Sequence, residues 1–424
     1  MKAFVTDGDE RSALAITRSL GRRGISVLVG EQRPICLASS SRYCARHVTY
    51  PSPQHDPEAF QRFLVDFAQR EKVDVIVPVT DVTTSSICQN QDALRRHAAI
   101  AAPSYHAFDL VTNKSTLLQA AARCDIPIPR THFLDGISDL RRIADRVEYP
   151  AVVKPARSRM LTGGRWLATN VHYAHSKGDL WRLYEGTSYL AAYPSMIQER
   201  VVGPGVGVFV LFKHGELLTA FAHRRLREKP PSGGVSVLCE SIPVDPRLRD
   251  QAVRLLGPLG WHGVAMLEYK RDGRAGTHRL LEVNGRFWGS LQLAVDAGVD
   301  FPYLSWQLAL EQRPEVPAAY RVGVRNRWLL GDLDHLWARL SKRRRDLCLP
   351  DDAPSRARSV ADFLRALKPN VPDQVLSRDD PGPFLYELRQ YVKGLSASVA
   401  DAARVRWTRA YPRGPRLARP SIPS

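Results

Sequence analysis

Short apolar runs alternate with amphipathic stretches over the first hundred residues. Residues 3–6, 26–29, 47–50, 73–78 and 100–102 read as strands, and residues 11–20 and 57–70 as helices between them. Strand and helix in alternation predict a parallel, doubly wound sheet. From His106 the pattern changes. A helix is predicted over 114–123, a proline-stiffened extended connector over 126–131, strands at 151–155 and 196–199, and a helix around 179–184. A hairpin turning at His214-Gly215 and a helix over 248–259 follow. From Arg321 three helical stretches (333–340, 360–367, 384–395) are joined by Pro- and Asp-rich pieces. The expected fold class is α/β plus α+β. The expected units are 1–105, 106–320 with a subdomain at about 131–203, and a helical extension over 321–424 that ends in a basic tail.

One stretch of alternation carries chemistry. Asp272-Gly273 reads as a turn, so Glu268 lies on one strand of a hairpin and residues 281–287 on the other. Glu282, Asn284 and Arg286 alternate with Leu281, Val283 and Phe287, which places the polar groups on one face and the apolar groups on the other. Two carboxylates and an amide oxygen leave an open shell suited to Mg2+ that also carries nucleotide phosphates. The guanidinium suits a phosphate or a developing anion. Phosphoryl chemistry is the implied class. Lys154 closes an apolar strand just before Pro155, where a buried ammonium would meet phosphate. Lys114 stands at a helix start, where the first N–H groups are expected to act with it on an anion. The segment 223–236 joins a basic strand to a Ser-Gly-Gly turn, a combination that suits a nest for a carboxylate or phosphate. His223 is expected to be structural, and Phe287 and Trp288 to pack beneath the metal strand.

Composition narrows the classes. Of the 424 residues, 44% are hydrophobic and 25% charged, which is ordinary for a folded soluble chain. No apolar run approaches the length of a membrane span, and the first residues enter a strand rather than a leader. The six cysteines are scattered without a CxxC pair, so no zinc site is suggested and a reducing cytoplasm is expected. The net charge of +18 is uneven: residues 321–424 hold 21 Lys and Arg against 11 Asp and Glu. The last stretch carries Arg404, Arg406, Arg409, Arg413, Arg416 and Arg419. It is expected either to be solvated or to touch an anionic surface. No nucleic-acid-reading module is recognisable, so no specific nucleic acid partner is expected. The first loop, residues 6–11, lacks GxGxxG but sits at a strand's carboxyl end, where such sheets bind ligands.

With Asn113-Lys114-Ser115, Tyr149 to Pro155, Gln198 to Gly203, Leu267-Glu268-Tyr269 and Glu282 to Ser290 in this order, the chain resembles ATP-grasp ligases of the carbamoyl-phosphate-synthetase-like, carboxylate–amine ligase branch. The resemblance spans about residues 1–320. It implies a parallel-sheet domain, a lid, and a larger α+β domain with ATP between the last two. Lys114 and Lys154 would contact the α- and β-phosphates. Glu199, Arg200, Val201 and Val202 would form the hinge facing adenine. Glu268, Glu282 and Asn284 would hold Mg2+, with Mn2+ also suited. Arg286 would face the transferred phosphoryl group, and Arg225 is the second catalytic candidate. The implied reaction activates a carboxylate as an acyl phosphate and passes it to an amine. The partners would be small-molecule carboxylates and amines, with a homodimer as in relatives. Another acceptor (bicarbonate or a phosphate group), or a non-catalytic ATP-binding scaffold using the basic tail, are the alternatives. Two departures stand out. The lid region Arg157 to Arg165 has only two glycines, so Arg157 or Arg159 would have to substitute. Val206 occupies the position where relatives often carry an acid for the ribose.

Overall fold

The apolar runs of the first hundred residues form a parallel sheet of β1 (Lys2–Val5), β2 (Ser26–Glu31), β3 (Cys44–Thr49), β4 (Val75–Val77) and β5 (Ala99–Ile100). The strand order is β3-β2-β1-β4-β5, in a computed structural model that describes residues 1–273, 276–349, 353–368 and 371–410, with side chains to 396. The order reverses between β1 and β4, and ligand crevices open at such points. There Asp7, with φ +57°, accepts hydrogen bonds from the Thr80 N–H (2.9 Å) and the Thr83 hydroxyl (2.5 Å). Thr80 and Thr83 form a reciprocal capping box that starts the helix Asp81–Gln89.

Next come β6 (Thr131–Leu134), β7 (Ala151–Pro155), the hairpin β8 (Arg159–Thr162) and β9 (Arg165–Ala168), β10 (His172–Ala174) and β11 (Ser195–Glu199). Four of them make a sheet in the order β10-β7-β11-β6. The two glycines of the lid region are the turn of β8–β9. Gly163 and Gly164 have φ +55° and +74°, a two-residue turn that other residues enter at a cost.

The largest sheet holds β12 (Gly205–Lys213), β13 (Glu216–Lys229), β14 (Val235–Ile242), β15 (Gly263–Arg271), β16 (His278–Asn284) and β17 (Arg325–Arg327), in the order β16-β15-β12-β13-β14-β17. β12 is buried on both faces. Val208, Val210 and Phe212 pack with Leu117, Leu118 and Leu248, whereas Phe209 and Leu211 pack with Leu291, Phe301 and the first helix. A near-continuous apolar sequence is the result.

The segment after Arg321 is helical, with helices Leu329–Ser341, Arg356–Arg365 and Gly382–Ala410, but it opens as the edge strand β17. The expectation of helices alone is corrected, because Leu238 to Glu240 on β14 offered an open edge for pairing. The segment is also fastened to the first helix, Arg11–Gly21. The Arg18 guanidinium binds the Asp380 carboxylate at 2.8 Å and donates to the carbonyls of Gln374 and Val375, with both charged side chains almost fully buried. Asp380 also receives the Ser41 hydroxyl and the Arg42 N–H. The arginine-rich end beyond residue 396 lies outside the described side chains. Among the described residues no helix is long and apolar enough to cross a membrane.

Removing one member of a buried ion pair strands the other charge. Arg18→Ala is expected to destabilise the protein by about 3–5 kcal/mol in urea unfolding. Arg22→Ala breaks only the half-exposed pair with Asp379 and should change stability by about 1 kcal/mol or less.

Candidate active site

Register decides where the acidic groups meet. β15 and β16 pair with Glu268 directly opposite Glu282, and both side chains face one cleft of about 520 Å³. Between the Glu268–Glu282 and Tyr269–Leu280 pairs the register shifts by one residue, and Leu281 is the extra residue. The expected alternation is therefore corrected at one position. Leu280 takes the fully buried place behind the strand, while Leu281 lines the cleft. Val283 lies on the apolar side as expected, whereas the strand ends at Asn284 and Phe287, also buried, packs beyond it in the other core cluster.

A chain of polar contacts runs from this pair. Lys114 Nζ lies 3.2 Å from Glu282 Oε2 and donates to the Ser158 hydroxyl at 2.6 Å. Asn284 donates to Glu282 Oε1 at 3.2 Å, and Arg286 donates to Asn284 Oδ1 at 3.2 Å. Arg286 is held bidentately by Asp81 at 2.9 and 3.2 Å and donates to the Phe287 carbonyl. Lys154, from β7, lines the same cleft. Burial works against the charge on Glu282, but the Lys114 and Lys154 ammoniums outweigh it and hold its carboxyl below the usual range. Burial pushes Glu268 up against the pull of Arg225, and the Glu282 charge adds to the rise. Burial also pushes the Lys154 ammonium down.

Some expected roles are altered. The helix start at Lys114 offers no free N–H groups to an anion. Asn113 caps it by accepting from the Ser115 and Thr116 N–H groups, and the Lys114 N–H donates to the Ala156 carbonyl. An Asn directly before a helix is a readable cap. The basic run after His223 is largely neutralised. Arg224 binds Glu240, Arg227 grips the buried Asp332 at 2.6 and 2.5 Å, and Lys229 reaches Asp334. Arg225 lies in the cleft, with its two nitrogens on Glu268 at 2.9 and 2.5 Å and further contacts to Glu228 and the Gly234 carbonyl. The Ser-Gly-Gly turn borders the cleft, but the Gly233 N–H is used by the Pro230 carbonyl. Arg157 is tied to Asp109 and Thr112, and with Lys114 and Asn284 it lines a small pocket next to the cleft.

The hinge residues divide. Glu199, Arg200 and Val201 line the cleft, whereas Val202 lines a separate cavity. The Glu199 carboxylate is engaged by Arg130 at 2.9 Å and Arg279 at 3.6 Å, and the Arg200 side chain reaches the Cys348 carbonyl. Sequence reasoning missed Asp81, although it follows β4 at the switch point of the parallel sheet. Neither Ser158 nor Tyr173 carries a motif, whereas Arg11 closes the loop 6–11 that was expected to sit where such sheets bind ligands.

The geometry can be compared with known proteins. Residues 192–331, which include β11 through β17, match the family model described as ATP-grasp in the biosynthetic pathway with Ter operon. The fold is similar to that of the biotin carboxylase domain of 2-oxoglutarate carboxylase from Hydrogenobacter thermophilus, solved as a dimer with MgADP, ADP and bicarbonate. That likeness has a TM-score of 0.60 at 15% identity over 76% of this chain and 73% of that one. It is similar to N5-carboxyaminoimidazole synthetase from Staphylococcus aureus (TM-score 0.58, 12% identity, 76% and 80% covered). It is also similar to L-amino acid ligase from Bacillus licheniformis (TM-score 0.58, 17% identity, 75% and 77% covered). The chain has the ATP-grasp fold, and its residues 192–331 match an ATP-grasp family model. Comparison with curated protein sequences gave no match.

Behind the cleft lies His223. It is fully buried, stacked on Phe209 at 4.6 Å, with Nε2 3.1 Å from the Ser290 hydroxyl. Burial pushes its imidazole down to about 3. An unfolded histidine titrates at ~6.5, so below that pH the unfolded chain takes up a proton that the folded chain refuses. Stability from this group is complete above pH ~6.5 and falls as the pH drops toward 3, by at most about 1.4 kcal/mol per pH unit. His223→Gln is expected to flatten the decline measured by urea unfolding between pH 6.5 and pH 4. An unchanged slope would remove His223 as a source of acid sensitivity.

Proposed function

We propose that the chain is an ATP-dependent ligase that phosphorylates a carboxylate and transfers the acyl group to an amine. The observation that carries this reading is the meeting of Glu268, Glu282, Asn284, Lys114, Lys154 and Arg286, from four separate parts of the chain, around one cleft. The L-amino acid ligase among the similar folds supports the carbon–nitrogen choice.

The donor set fits a divalent cation. Two partly buried carboxylates oppose each other in register, the Glu282 charge raising the cost of the charge on Glu268, and a neutral amide oxygen stands beside them. Among the described residues no cluster of three or more His, Cys, Asp or Glu side chains forms a closed metal site. An open set of this kind suits Mg2+, which keeps positions for water and phosphate oxygens. Glu268, Glu282 and Asn284 would hold the ion, with Mn2+ suited to the same oxygens. When bound, the ion would polarise phosphate oxygens as a Lewis acid.

The chain's own groups then position and neutralise, which is most of what phosphoryl transfer requires. Lys114 and Lys154 are ammoniums already gathered at Glu282, placed to accept the charge of a polyphosphate. Leu281, Val201 and Tyr173 supply apolar surface on the same cleft. Arg286, held by Asp81, and Arg225, held by Glu268, would set positive charge beside the reacting phosphoryl group. A substrate carboxylate oxygen would attack the γ-phosphorus, with ADP leaving. The amine would attack the acyl carbon, lose a proton and expel phosphate, leaving an amide.

The test is ADP release by the purified protein over a matrix of carboxylates and amines. Lys154→Ala and Glu282→Ala are each expected to lower turnover by about a hundred-fold or more, with circular dichroism unchanged. Absence of turnover across the matrix with Mg-ATP bound normally would sink the ligase reading. ADP release that needs bicarbonate instead of an amine would move the acceptor to that class.

A further inference from the structure

Arg11 differs from two other arginines of the cleft. Arg225 and Arg286 each face a carboxylate, as Lys114 does. Arg11 lines the same cleft, beside Trp288, Gly289 and Ser290, and its contacts among the described residues are neutral. Its Nη1 donates to the Gln374 side-chain oxygen, and its guanidinium lies 4.0 Å from the centre of the Trp328 ring. Gly289 makes room for it, since a Cβ there would come within 3.0 Å of Arg11 Nη2. A guanidinium carries five N–H donors, and the one side-chain hydrogen bond given for Arg11 among the described residues is that of Nη1 to Gln374. Burial disfavours its charge, while Glu10 and Glu387 favour it from a distance.

The surroundings hold this cation in place without quenching it. The Trp328 indole is itself fixed by its N–H donating to Glu387 at 2.7 Å. Gln374 sits on the segment that Arg18 clasps through the Gln374 and Val375 carbonyls. Arg11 and Arg18 are two turns apart on one helix, so they share a face. That face carries the clasp at one end and the unquenched cation at the other. A planar guanidinium stacked on indole is a pre-organised, bidentate receptor for a carboxylate.

We propose that Arg11, with Gln374 and Trp328, is a subsite for a substrate carboxylate that is bound but not activated, so that the segment after β17 sets substrate choice. The ligand class is a small molecule with a reacting group and a second, free carboxylate. This rests on the ligase reading above only for the word substrate, because the subsite is tested by binding alone.

The experiment measures binding of the standard amino acids and short dicarboxylates to the full chain, by calorimetry and thermal midpoint, with and without Mg-ADP. Each ligand found is compared with its primary amide. At least one free acid is expected to bind, and its amide to bind at least about ten-fold more weakly. Arg11→Gln should weaken the acid by about ten- to a hundred-fold, and Arg11→Lys by less. Gln374→Glu keeps the arginine but gives it a carboxylate partner, and should mimic Arg11→Gln. Mg-ADP affinity should be unchanged in all three. The subsite is overturned if acid and amide bind alike, if Arg11→Gln and Gln374→Glu bind the acid as the parent does, or if no acid binds. Failure of the parent to bind Mg-ADP would count against the ligase reading and leave the acid-binding result to stand by itself.

Discussion

Two carboxylates face each other across a pair of buried strands, and much of the molecule answers to that. At the register of Glu268 and Glu282 like charges are opposed where water is scarce, an arrangement that a sheet disfavours. It persists because cations arrive from three other elements: Lys114 from a helix start, Lys154 from the lid sheet, and Arg225 from β13. Each is held by the charge it offsets, so the electrostatic demand of one strand pair draws the lid, the connecting helix and the large sheet toward one point. The neutral link Asn284 then passes the arrangement to Arg286 and, through Asp81, to the parallel sheet. Position and charge balance are therefore the same fact at this site.

The alternation of Glu282 and Asn284 with apolar residues made their shared polar face legible in the sequence, because a strand's period of two leaves few arrangements. The parallel sheet was legible for a similar reason: Val and Ile runs separated by amphipathic helices admit few folds. The bulge at Leu281 was not legible, since both Leu280 and Leu281 satisfy an apolar pattern and only pairing with β15 decides which one turns to the cleft. The basic run after His223 suggested anion binding because its neutralising partners, Asp332 and Asp334, lie about a hundred residues on. Asn113 was readable as a cap and shows a different failure: a local rule was passed over for a more attractive charge argument.

The segment after Arg321 is part of the working molecule rather than an appendage. β17 completes the large sheet, Cys348 meets the hinge through Arg200, and Trp328 and Gln374 surround Arg11. The exposed Leu and Val side chains of the last long helix, Leu385, Leu388 and Val392, lie beyond these contacts. Residues that line the cleft, or that touch its lining, thus come from widely separated parts of the chain.

The clasp between Arg18 and Asp380 joins residues 362 positions apart. At a synthesis rate of roughly 5–20 residues per second, about 20–70 s separate the appearance of the two charges. For that interval the first helix carries an arginine whose partner does not exist, and the parallel sheet must hold together with its outer face unfinished. Only when residue 380 emerges can Arg18 be buried, Gln374 be seated and the wall beside Arg11 be closed. The fold thereby makes the residues up to 380 a condition of having a finished cleft, and a product stopped before them would carry the glutamate pair without the wall beside Arg11.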